Sequence, residues 1–220
     1  MSPPVDLDGL LSQEPPRDAA AAGRVLAAAR GELSLRRPVR RWRTQAAWLM
    51  GASGGFALFI GGVLGVVGAT SVELLMGRAH LMALLLVTCA VCTWGALSPR
   101  GRGLQRLGVV LAMATALVLV LARGPGTASP LPQWVCTVGH LGVGTVPLVV
   151  ALFALRSAVF QPLRAVVAGL AVGTTGAFLG ELACAQSWRH VAGYHLLAWG
   201  LITVAALVIS KSLKPRSYAP

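Results

Sequence analysis

The chain has 220 residues, 55% of them hydrophobic and only 12% charged, with a mean hydropathy of +0.71. A soluble domain of this size could not hide that much apolar surface, so one membrane domain with a short extramembrane arm is expected. The formal net charge of +12 would suit nucleic acid, but the cationic residues flank apolar runs, where they meet anionic lipid, and no direct nucleic-acid role is expected.

The arm covers residues 1–45. Met1–Pro16 carries Pro3, Pro4, Pro15 and Pro16, which exclude a continuous helix. It lacks the apolar core of a signal peptide, so the arm is expected to stay in the cytoplasm. Asp18–Leu35 reads as a helix with Asp18 as N-cap. Val25, Leu26, Ala29 and Leu33 fall on one side of it, with Arg24 and Arg30 off that stripe. Gly23 and Gly31 each weaken the helix by roughly 1 kcal/mol relative to Ala. Such a helix is one that a partner orders. Arg36–Arg43, interrupted by Pro38, reads first as a lipid anchor and topology signal.

Six apolar runs follow: Ala47–Ala69, Leu74–Leu97, Leu107–Ala122, Trp134–Leu155, Leu163–Ala183 and Val191–Ser210. A span needs about 20 mainly apolar residues, and Leu107–Ala122 is short of that. Sixteen of the nineteen Lys and Arg lie in the arm, the second and fourth loops and the tail. The other loops hold only Arg78, Arg123 and Arg189. That alternation predicts an all-α, six-helix transmembrane bundle over residues 46–210, with a cytoplasmic tail at 211–220 and both termini inside.

The runs are rich in small residues. Gly51/Gly55 and Gly61/Gly65 in the first, and Gly169, Gly173, Gly176 and Gly180 in the fifth, form faces that let helices approach closely. The span interiors hold no Lys, Arg or Asp. A small transporter or channel is the rival reading, but it wants polar or ionisable groups near the midplane.

All four histidines fall towards the outer side. His80 opens the second run, His140 lies in the outer half of the fourth, and His190 and His195 start the sixth. Cys136 and Cys184 join them, and Glu181 sits at the outer end of the fifth run. Cys136 and His140 are four apart and share a helix face; Glu181 and Cys184 are three apart and share another. Thiol, imidazole and carboxylate at one membrane face form a soft-metal or redox constellation. The plainer reading is that His collects at interfaces and Cys packs as a small hydrophobe. No metal or cofactor is certain; a soft metal ion at Cys136 and Cys184 is the candidate. Cys89 and Cys92 form a CxxC inside a span without polar access, and read as packing residues. No enzyme is expected: there is no Walker loop, no HExxH and no clustered His boxes. Ser53, in the run Gly51–Gly55, lies near the inner end of the first span, away from the histidines.

Several features recur together: the juxtamembrane Leu35-Arg-Arg-Pro-Val-Arg40, the Cys136-x3-His140 that opens the fourth span, and Pro147 within that span. The Gly-rich fifth span ending Glu181-Leu-Ala-Cys184 and the later His190, His195 and Trp199 complete the set. In order and spacing this resembles the six-span membrane anti-sigma factors of the NrsF type, over roughly residues 33–210. The resemblance implies a bacterial inner-membrane protein that holds an extracytoplasmic-function sigma factor inactive and releases it on a signal. It maps the paired sensing cysteines of the family onto Cys136 and Cys184. Arg24, Val25, Leu26, Ala29, Arg30 and Leu33 are then the expected sigma-binding residues. Cys136, His140, Glu181, Cys184, His190 and His195 are the expected sensor, by oxidation or metal capture. For light-responsive members it implies release by illumination and singlet oxygen, to free the sigma factor for carotenoid genes. One departure stands out. Where members often carry an acidic Cys-Pro-Glu-Asp, this chain reads Cys184-Ala-Gln-Ser-Trp188, leaving Glu181 as the nearest acid.

Overall fold

The computed structural model describes residues 19–35, 42–99, 101–126, 132–156 and 160–213. The proposed N-cap Asp18, the basic segment up to Arg41 and residues 214–220 of the tail lie outside them, as does the side chain of Leu33. The chain divides into two compact units, Met1–Arg40 and Arg41–Pro220. In the first, helix α1 spans Ala19–Leu35. Arg24, Val25, Leu26, Ala29 and Arg30 are all exposed on it, with Val25 at 68% and Leu26 at 57%.

The second unit contains six helices long and apolar enough to cross a membrane, and no strand occurs among the described residues. They are α2 (Trp42–Val66), α4 (Ala79–Leu97), α5 (Arg102–Leu121), α6 (Trp134–Leu155), α7 (Pro162–Ala183) and α8 (Trp188–Ser212), with a short helix α3 (Val72–Gly77) before α4. The apolar runs located every span, but the helices overrun or interrupt them. The third run looked short because reading stopped at Arg106. The helix itself begins at Arg102, and both arginines are exposed at its end. Helix hydrogen bonding does not depend on charge, and long cationic side chains reach out of the apolar layer. The second run is split. Ser71 caps α3 by accepting from the Leu74 N–H at 3.2 Å, and the helix breaks at Arg78 (φ −109°, ψ 10°) before α4 starts. Gly68, with φ of 73°, supplies the left-handed turn after α2.

Helix α7 is the axle of the bundle. It packs against all five other spans, and 83% of its most apolar stretch is buried. Its glycines make this possible. A Cβ on Gly169 would lie 2.6 Å from Thr203 Cα, and one on Gly173 would overlap the Trp199 indole. That indole is held against α7 by its Nε1–H, which donates to the Leu170 carbonyl at 2.9 Å. Elsewhere two buried polar pairs join helices: Thr88 with Thr115 at 2.7 Å, and Gln105 Nε2 to the Gly95 carbonyl at 3.2 Å. Cys89 and Cys92 are buried in α4 as free thiols, with Cys92 Sγ 3.4 Å from the Gly108 carbonyl. This is the packing role expected of them. Ser53 faces Cys89, Thr174 and Thr175 across a small gap, away from every histidine.

Candidate metal and redox centre

At one end of the bundle α6, α7 and α8 bring four potential ligands together. Cys136, Cys184, His190 and His195 each offer one ligand atom, all within 4.8 Å of one another. Cys136 comes from the first turn of α6, Cys184 caps α7, and the two histidines belong to the start of α8. Local geometry explains the pair of histidines. In an α-helix, residues five apart point about 140° away from each other. Here Val191–His195 is a π-helical turn, in which the Leu196 N–H donates to the Val191 carbonyl five residues back. The wider turn puts His190 and His195 on one face, and such bulges concentrate at functional sites. Thr137 Oγ1 fastens the turn to α6 by donating to the Tyr194 carbonyl at 3.1 Å.

His140 stands beside this group rather than in it. Its ring lies 4.4 Å from that of His195, and its Nδ1 pairs with the Cys136 carbonyl at 2.7 Å. It therefore fixes the backbone that carries one thiol. Gly176 and Gly180 make room for the rings: a Cβ on Gly176 would be 2.8 Å from His140 Cδ2, and one on Gly180 would overlap His195. Glu181 is diverted altogether. Its Oε1 accepts from Arg123 at 2.5 Å, and Arg78 approaches its Oε2 at 3.6 Å. Both arginines also donate to the Cys184 carbonyl, Arg123 at 2.6 Å and Arg78 at 3.1 Å, and Arg78 donates to the Glu181 carbonyl as well. The carboxylate thus anchors the end of α7. His80 is exposed and lies apart from the four.

The four-residue set suits a soft, tetrahedral ion. Two thiols and two imidazoles are the donor types that zinc or cuprous copper takes. Bonds of about 2.0–2.3 Å would hold neighbouring ligands roughly 3.3–3.8 Å apart, so the set closes by about an ångström on binding. Both nitrogens of His190 and Nε2 of His195 are buried without a hydrogen-bond partner. Bare buried acceptors and donors are unfavourable, and a metal or its ligands would satisfy them. Cys136 is half-buried and gives the approach, while Cys184, His190 and His195 are buried. The two thiols are free and not bridged.

The chain is 67% identical to the carotenogenesis protein CarR of Myxococcus xanthus over 221 aligned residues, covering all of both proteins. It belongs to the CarR family. The match runs through the arm, residues 1–32 included, which no motif covered. No family model matches the chain. No solved structure matches it. In this CarR-family chain the sequence reading missed Arg78 and Arg123, although both were visible as exceptions to the alternation of charge. His190 and His195 were both expected in the sensor group, but not the π turn that brings two residues five apart onto one face.

Proposed function

We propose that this CarR-family chain is a membrane-bound anti-sigma factor that holds an extracytoplasmic-function sigma factor through its N-terminal arm, and so represses transcription of carotenoid genes. It carries out no catalysis. Both termini lie in the cytoplasm of a bacterial inner membrane, and the Cys136–Cys184–His190–His195 group faces the outside. The observation that carries this reading is α1. It forms a unit separate from the bundle and exposes the side chains of Val25 and Leu26, bordered by Arg24 and Arg30. Apolar anchors would supply affinity, and the arginines would meet acidic sigma surface. The outer group is the sensor. Capture of a soft metal ion would draw α6, α7 and α8 together at that end; a peroxide that takes two electrons and two protons from the Cys136 and Cys184 thiols, leaving a disulfide and water, would tie α6 to α7 and change their packing.

The test is co-purification of the solubilised full chain with its sigma factor, alongside a Val25→Asp/Leu26→Asp variant. The variant should insert normally and lose at least tenfold of the bound sigma factor. Full retention by the variant would move the contact surface to the basic inner loops, and no sigma factor on the native chain would end the proposal. For the sensor, metal analysis of the purified chain after exposure to cuprous or zinc ion should give about one ion per chain. The Cys136→Ser/Cys184→Ser variant should give none and should still repress. Equal metal in both would remove the thiols from the site.

A further inference from the structure

The Arg78–Glu181–Arg123 cluster has a second face. Beside it lies a cavity of about 460 Å³, lined by Arg78, His80, Arg123, Gly126, Glu181 and Gln186 among others. It is built from the ends of α4, α5 and α7 and the segment after α5, and it is separate from the four ligands of the sensor group. Its size is that of a small-molecule or headgroup site.

The charges are unbalanced. Two guanidiniums face a single carboxylate, with no other acidic residue among the described residues of the cavity wall. The Arg123 side chain is 5% exposed, and its Nε is buried with no hydrogen-bond partner. Arg78 is 20% exposed. Burial and the neighbouring charge of Arg123 hold the Arg78 guanidinium below its ordinary pKa, against the opposing pull of Glu181. An excess buried cation is unfavourable unless an anion joins it. The setting sharpens the point, because cationic residues on this side of the bundle are the exceptions to the alternation of charge, and two of the three, Arg78 and Arg123, are drawn into one pocket. Two segments of the wall are packed backbone to backbone: a Cβ on Gly126 would come within 2.6 Å of the Gln186 backbone carbon.

We propose that this cavity is a binding site for a phosphate-bearing anion, held between Arg78 and Arg123 at the membrane boundary. A guanidinium matches phosphate oxygens with paired N–H donors. The cavity sits at the ends of apolar spans, so the phosphodiester of a phospholipid headgroup and free phosphate share the recognising chemistry. The same two arginines hold the Cys184 carbonyl. An anion that recruits their N–H groups therefore competes for the anchor of one sensor thiol, and occupancy of the two sites is linked.

The experiment uses the full chain purified in a neutral detergent. Its thermal unfolding is measured with inorganic phosphate against chloride at equal ionic strength, and lipid adducts are measured by native mass spectrometry after incubation with phosphatidylglycerol or with diacylglycerol. Ala185→Glu places a carboxylate at an exposed position on the cavity wall and should weaken binding at least fivefold without touching the arginine anchor; Arg78→Gln, which removes one of the two anchoring guanidiniums, should weaken it as well. Retention of phosphatidylglycerol but not diacylglycerol, lost in Ala185→Glu, supports a lipid headgroup. Stabilisation by phosphate without lipid retention, lost in the same variant, supports the free anion. Neither ligand bound by the native chain, or both bound equally by Ala185→Glu, overturns the proposal. Neither readout involves a sigma factor or a metal ion, so the result stands apart from the regulatory reading.

Discussion

Helices α2 and α7 look alike as sequence, and the bundle uses them in opposite ways. Both are apolar, glycine-rich and free of charge in their interiors. Yet 83% of the most apolar stretch of α7 is buried, against 17% for α2. On α7, Gly169, Gly173, Gly176 and Gly180 each meet a backbone or ring of a neighbour. On α2, Gly51, Gly54, Gly55, Gly62 and Gly65 meet nothing within 4 Å, and only Gly61 approaches another helix, through Leu182 at 3.3 Å. A small-residue face permits close packing, but it does not decide whether a neighbour uses the permission. On α7 the occupants are two histidines, a tryptophan and the Thr203 backbone, so the glycines belong to the cysteine–histidine end as much as to the core.

The sharpest way to break this comparison is at the end of α7. Glu181→Gln leaves the buried Arg123 guanidinium and the half-buried one of Arg78 without their carboxylate, and about 3–5 kcal/mol of stability should be lost. Thermal unfolding of the purified chain would show it, together with weaker metal uptake as the Cys184 backbone loosens. A melting temperature equal to that of the native chain would mean that the cluster is solvated and no anchor. Next comes Gly173→Ala. Its new methyl must displace the Trp199 ring and break the bond to Leu170, and overpacking of this kind should destabilise by about 1–3 kcal/mol. Gly55→Ala on α2 should have the smallest effect. With no neighbour to strike and a better helix former in place, it should be neutral or stabilising by up to about 1 kcal/mol. Equal losses from Gly173→Ala and Gly55→Ala would show that α2 packs against something in the membrane, a second copy included.

Much of this was legible in the residues. Apolar runs of span length fix the number of helices, because backbone polar groups in lipid must be satisfied within each helix. Alternating charge gave the expected orientation, and the juxtamembrane motif with the order of Cys, His and Gly along the last three spans gave a family resemblance. The order also placed Cys136, Cys184, His190 and His195 towards one end, since helix length converts sequence position into depth. Tertiary structure decided the rest. Only packing shows that α7 is central and α2 peripheral, because composition does not state which neighbours fill a small-residue face. Only the π turn brings His190 and His195 onto one side, since a local change of hydrogen-bond step leaves no mark in spacing read at 3.6 residues per turn. And only contacts between distant segments turn Glu181 from an expected ligand into the partner of Arg78 and Arg123: a carboxylate takes the nearest cation in space, and those cations lie 103 and 58 residues away along the chain.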